Sequence, residues 1–166
     1  MTEIRNLVKE FGERTLSNLD FIQRHRDRSD VYEVTQLWNS LSGLLVLPYE
    51  HEVNAIQGTL TEAAGRGWPE LSETFPLDAA PSGSTDLADQ IRRLRNAVSH
   101  YNVEFLSEHK SIIGVRVWNH QLPSRASGKR QREMPINWRT DISIPQLDQL
   151  ARATAALYAK ILRLAA

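Results

Sequence analysis

The chain has 166 residues and a mass near 18.9 kDa, a length that suits one domain with or without an insertion. Lys+Arg and Asp+Glu each total 20, so the formal net charge is zero, which excludes a polybasic nucleic-acid or membrane-surface binder and leaves only local patches. The 41% hydrophobic and 24% charged content excludes wholesale disorder, and the absence of cysteine excludes disulfide frameworks, thiol catalysis and thiolate metal sites.

The N-terminus, Met1-Thr2-Glu3-Ile4-Arg5, carries charge where a signal peptide needs an apolar run. Ile4, Leu7, Val8, Phe11, Thr15, Leu19 and Ile22 then recur at three- and four-residue spacings, predicting a helix to about Arg26. Ser29 or Asp30 is a candidate cap for a second helix carrying Val34, Leu37, Trp38, Leu41, Leu44 and Leu45, with Pro48 expected to close it. The run Leu44–Leu47 is the longest apolar stretch and is too short to span a bilayer, so the expectation is a cytoplasmic protein with no membrane partner.

Residues 50–63 are compatible with a short polar helix. Positions 65–84 hold six of the fifteen Gly and Pro residues, and the expectation there is a loop or insertion with no buried element. Thr85 or Asp86 starts a third helix with the apolar stripe Leu87, Ile91, Leu94 and Val98. The period then changes to two. Ile113, Val115 and Val117 alternate with Gly114 and Arg116, and Ile136, Trp138, Thr140 and Ile142 alternate with polar residues, predicting an antiparallel β-hairpin over 111–142 with a long connection. Ser143-Ile144-Pro145-Gln146 has capping-box spacing. It opens a last helix expected to bury Leu147, Leu150, Ala151, Thr154, Leu157, Tyr158 and Ile161. Trp38, Trp118 and Trp138 are read as core or hairpin residues.

No Gly-rich phosphate loop is present, since Ser127-Gly128-Lys129 lacks its upstream glycine. No nucleophile elbow occurs, and histidines 25, 51, 100, 109 and 120 show no metal-ligand spacing, so no metal site or cofactor is expected. The chemistry-bearing stretch is Arg92-Arg93-Leu94-Arg95-Asn96-Ala97-Val98-Ser99-His100-Tyr101-Asn102. It gathers a permanent cation, an amide and a titratable imidazole at the end of an amphipathic helix. At about 100° per residue Asn96 and His100 share a face, whereas Arg95 and His100 lie about 140° apart if the helix stays regular. One copy therefore need not converge the pair, and two antiparallel copies about a two-fold axis could gather these groups around one cleft.

This stretch resembles the HEPN family (higher eukaryotes and prokaryotes nucleotide-binding), whose nuclease members carry an Arg, a polar residue and a His with four to six residues between Arg and His. Arg95-Asn96 followed by Ala97-Val98-Ser99-His100 has four. Tyr32–Leu41 with Leu44–Pro48 is similar to the second helix of small prokaryotic, including plasmid-encoded, members. The resemblance covers roughly residues 14–48, 86–119 and the final helix, and nothing carries over to 65–84.

The resemblance implies a mostly α fold, a single HEPN-like helical bundle over 1–166 with the β-hairpin added before the C-terminal helix. It implies a metal-independent endoribonuclease that acts as a homodimer, of toxin or anti-phage and anti-plasmid type, often beside a neutralising antitoxin. His100 would be the general acid/base, Arg95 the phosphate clamp and Asn96 their assistant; the physical roles agree, because an imidazole moves protons near neutrality and a guanidinium grips phosphate oxygens. Arg92, Ser99, Tyr101 and Asn102 are candidate substrate contacts. So are Arg125, Lys129 and Arg130 in the acid-free run Ser124–Arg132. The alternatives are a non-catalytic HEPN domain binding RNA, nucleotide or a partner protein, and a structural helical module. Arg95 and His100 would then be ordinary helix-terminal cations and caps.

Overall fold

A computed structural model describes residues 2–28, 31–52, 56–76, 86–109, 111–124 and 128–164, with side chains described for all of these except 2–8, 47–52 and 160–164. Helix α1 spans Thr2–His25, α2 Glu33–Glu52, α3 Leu60–Ala64, α4 Leu87–Ser99 and α5 Ile144–Leu164. Strands β1 (Glu73–Thr74), β2 (Val103–Glu108), β3 (Ser111–His120) and β4 (Ile136–Ser143) form one antiparallel sheet in the order β1-β4-β3-β2.

The expected helical bundle with an appended hairpin is therefore corrected. The predicted strand pair exists, but it is the centre of a four-stranded sheet that shares the core with the helices. The physical reason is that its inner face has to be covered. Val115, Val117, Trp138, Thr140 and Ile142 are all buried, and α4 and α5 pack across them. Strands β1 and β2 escape the sequence reading for different causes. β1 has two residues, too few for any period, and β2 is an edge strand with little buried surface.

On the other side α1, α2 and α5 pack against one another, and α2 also packs on α4. Leu19, Leu37, Leu41, Leu44, Leu45, Leu147, Leu150, Ala151, Ala155 and Tyr158 are buried there. An isolated 13-residue helix such as α4 is marginal in water. Burial of Leu87, Ile91 and Leu94, each at about 1.5–3 kcal/mol, is what holds it. Arg152 of α5 clamps α1 by donating to Asp20 (2.6 Å) and Gln23 (3.2 Å) while bonding Asp148 on its own helix. Its guanidinium pKa is raised: burial works against the charge, and the bonds to Asp20 and Asp148 outweigh it.

Several local expectations hold. Asp86 is the N-cap of α4, accepting from the Ala88 N–H at 2.9 Å. The Ser143–Gln146 capping box forms, with Gln146 Oε1 accepting from the Ser143 N–H at 2.9 Å. Ser29 and Asp30 lie outside the described residues, and so does the side chain of Ile161. Leu157 is only half-buried.

Others are corrected. Helix α2 runs through Pro48 to Glu52; proline deletes one backbone donor and leaves the flanking turns able to bond. In the 50–63 region the second helical piece is only Leu60–Ala64, started by a Thr59–Glu62 capping box. The 65–84 stretch is not free of buried structure. Trp68 and Leu71 belong to the core, and β1 pairs Glu73 with Thr140. Residues 77–85 lie outside the described residues. At Gly114 an added Cβ would sit 2.4 Å from the Ile142 carbonyl oxygen, so the close β3–β4 approach requires glycine there.

Candidate functional site

Helix α4 ends at Ser99, one residue short of His100, so the regular helix assumed in the 140° argument stops just before the imidazole. His100 is the C-cap, and its N–H still donates to the Asn96 carbonyl at 3.1 Å, which keeps its Cα on the helical path. The turn that follows is a Schellman motif: the Tyr101 N–H donates to Val98 O (3.1 Å) and the Asn102 N–H to Ala97 O (2.9 Å). Tyr101 occupies the left-handed position with φ 56°. This places Asn102 back beside the sheet, where its carbonyl accepts from the Trp118 N–H at 3.2 Å.

His100 and Asn102 line a hollow of about 240 Å³ with His120, Arg130, Gln131 and Arg132. Two predicted pieces, the motif on α4 and the basic connection between β3 and β4, thus meet in space. A second hollow, of about 290 Å³, shares His120 and Gln131 with the first. Asn96 lies on its wall with Arg93, Asn119, Gln121 and Asn137. Asn96 and His100, four apart on one helix face, therefore look onto two neighbouring hollows.

The remaining candidates divide. Arg95 is half-buried, lines neither hollow, and donates from Nη1 to Asn96 Oδ1 at 3.1 Å. Arg92 is exposed and ion-paired with Asp89 on its own helix. Ser99 and Tyr101 face elsewhere, into a groove with Trp38, Asn39, Ser42, Val46, Val98 and Val103. Lys129 is exposed and lines neither of the two hollows. Arg125 lies outside the described residues.

Sequence reasoning missed His120, Asn119, Gln121 and Asn137 as wall residues, while Arg93, Gln131 and Arg132 lie inside the two stretches it singled out without being named as contacts. His120 accepts from the Trp118 indole N–H at Nε2 (3.1 Å), and its Nδ1 lies 2.6 Å from the Met134 carbonyl oxygen, which sets the Nδ1–H tautomer. Both ring nitrogens are thereby committed. Arg93 pairs with Glu73 (3.2 Å) and lies 5.4 Å from the centroid of the Phe75 ring. Glu73 also accepts from Gln90 Nε2 (3.2 Å) and Trp138 Nε1 (3.0 Å), and Gln90 Oε1 accepts from Trp68 Nε1 (2.6 Å). This network fixes β1, β4 and α4 around the second hollow. Nothing in the local pattern marks this network, since Glu73, Gln90 and Asn119 each have a polar neighbour in sequence.

Among the described residues, no three His, Cys, Asp or Glu side chains gather as a metal site requires, and no helix is long and apolar enough to cross a membrane. A family model, HEPN pEK499 p136, matches residues 1–163, so the chain belongs to that HEPN family. The match extends beyond the segments that carried the resemblance and includes 65–84 and all four strands. Neither the curated proteins nor the solved structures contain a match.

Proposed function

We propose that the protein is a metal-independent endoribonuclease that works as a homodimer, with His100 as general acid/base, Arg95 as phosphate clamp and Asn96 assisting. The observation that carries the reading is the exposed His100 imidazole at the C-cap of α4, in one hollow with Arg130 and Arg132. A phosphodiester brought there by the arginines has a proton carrier beside it. The 2′-hydroxyl of the RNA attacks phosphorus and gives up its proton, the bond to the 5′-oxygen breaks, and that oxygen leaves protonated. The products are a 2′,3′-cyclic phosphate and a 5′-hydroxyl. The two copies of His100 divide the two proton transfers, and Arg95 stabilises the charge that builds on the non-bridging oxygens.

Arg95 lies around the helix from His100, which supports a composite site assembled from two protomers. The biological reading is a toxin or an effector against phage or plasmids, held in check by a partner protein. The rival is an HEPN domain that binds RNA without cutting it.

Incubation with end-labelled RNA in EDTA tests the reading. Cleavage is expected to persist in chelator. It should fall roughly 100- to 10,000-fold in His100→Ala, the usual worth of a positioned acid or base, and in Arg95→Ala as well. Light scattering at the assay concentration should give a dimer. Binding without cleavage would establish the rival, and a requirement for Mg²⁺ would remove the mechanism.

A further inference from the structure

The hollow beside Asn96 differs in chemistry from its neighbour. Its walls hold five side-chain amides, those of Asn96, Asn119, Gln121, Gln131 and Asn137. Among the described residues the only permanently charged one lining it is Arg93, and that charge is matched by Glu73 at 3.2 Å. His120 contributes a ring whose two nitrogens are already bonded. The hollow therefore offers neutral donors and acceptors and no uncompensated cation. That suits an uncharged polar heterocycle better than a phosphate.

The amides are also oriented. Asn119 Nδ2 donates to the Arg93 carbonyl at 2.9 Å, leaving its Oδ1 as an acceptor. Asn96 Oδ1 accepts from Arg95, leaving its Nδ2 as a donor. Asn137 is the extra residue of a β-bulge: Asn119 pairs with Trp138 and His120 with Ile136, so Asn137 has no opposite number. Its Oδ1 is buried and makes no hydrogen bond among the described residues. Asn137 lines the hollow, and an acceptor buried there without a donor is costly. Phe75 and Trp138 supply aromatic surface in the same lining. At about 290 Å³ the hollow lies at the low end of the roughly 300–1,000 Å³ typical of small-molecule sites, which suits a single base-sized ring system.

The adjoining hollow, with His100, Arg130 and Arg132, has the opposite character and shares the wall formed by His120 and Gln131. A neutral amide pocket next to a cationic one matches the two ends of a nucleotide. We infer that the amide hollow binds the nucleobase next to the scissile phosphate, and that Asn137 and Asn119 determine which base is accepted. This rests on the ribonuclease reading for the role of the bound base, but not for base binding itself.

Two measurements separate these. The first is an NMR titration of the His100→Ala protein with adenosine, guanosine, cytidine, uridine and ribose 5-phosphate. One nucleoside, or one purine or pyrimidine pair, is expected to shift the Asn137 and Asn119 amide signals, with ribose 5-phosphate leaving them unmoved. The second maps cleavage sites in a randomised RNA pool. The wild type should favour one base class beside the cut. Asn137→Leu, and Gln131→Ala as a second variant in the same lining, should each reduce that preference by roughly tenfold, the discrimination carried by one or two base hydrogen bonds.

Nucleoside binding in a protein that cuts no RNA would remove the ribonuclease reading and keep the pocket. Cleavage without base preference, together with no nucleoside shift at Asn137, would overturn the pocket and keep the ribonuclease. Ribose 5-phosphate shifting the same signals as the nucleosides would also overturn it.

Discussion

Tyr101 holds a left-handed backbone conformation that most helices reserve for glycine at this step of a Schellman turn. It is 87% exposed, so no core packing repays the strain. Tyr101→Gly should raise stability by about 0.5–1 kcal/mol, the left-handed penalty of a side chain less the extra chain entropy of glycine. The midpoint of urea unfolding reads this directly. The same variant reports on function: if Tyr101 touches RNA, cleavage or binding weakens while the fold strengthens, and a tyrosine kept only as a chain exit leaves both unchanged. The Arg-Asn-x3-His spacing was legible at this scale because its residues lie within one short stretch of α4 and its C-cap. His120 and Asn137 were not, because their roles depend on a strand pairing and a bulge that bring positions 96, 120 and 131 around shared hollows.

At the scale of elements, the two-residue strand β1 pairs with β4 and is also tied to α4 through one side chain. Glu73 receives Arg93, Gln90 and Trp138 at once. Removing it by Glu73→Ala leaves a largely buried guanidinium without its counter-charge. Breaking such a pair costs about 3–5 kcal/mol. Thermal unfolding should show the loss, and Glu73→Gln, which keeps the acceptor oxygen, should lose less. Helices α1, α2, α4 and α5 were readable because their apolar spacing is sustained over many turns. Strands β3 and β4 were readable from alternation. The 65–84 stretch was misjudged because Gly and Pro marked its turns correctly, while the burial of Trp68 and Leu71 depends on Gln90 and on the sheet edge, contacts invisible to any local window. The helix predicted to stop at Pro48 runs on to Glu52, against proline's usual tendency to kink or end a helix.

For the molecule as a whole, helices and sheet share one core, and the outer sheet face is held by charge. Arg116 on β3 reaches Asp141 on β4 in a two-pronged contact (2.7 and 2.8 Å) and Glu104 on β2 at 3.5 Å. The hydrogen bond to Arg116 is the main cause that holds the Asp141 carboxyl below its ordinary range. Because the folded pKa is depressed, this contribution is fully present above the unfolded carboxylate value of about 4 and is lost as pH falls through the folded one. Urea unfolding measured from pH 6 down to pH 2 should therefore show a steeper acid loss in the wild type than in Asp141→Asn. The zero net charge bears on the proposed function: a grip on an anionic polymer would have to be local, as at the hollow lined by Arg130 and Arg132.

The bulge at Asn137 has a consequence for how such a chain diverges over generations. The wall opposite α4 comes from the far end of β4 and the connection before it, while the Arg95, Asn96 and His100 trio sits on another stretch. An exchange at Asn137 alters that wall and leaves the trio, with Arg130 and Arg132 beside His100, unchanged. The proposed choice of base and the proposed chemistry can therefore drift apart over generations.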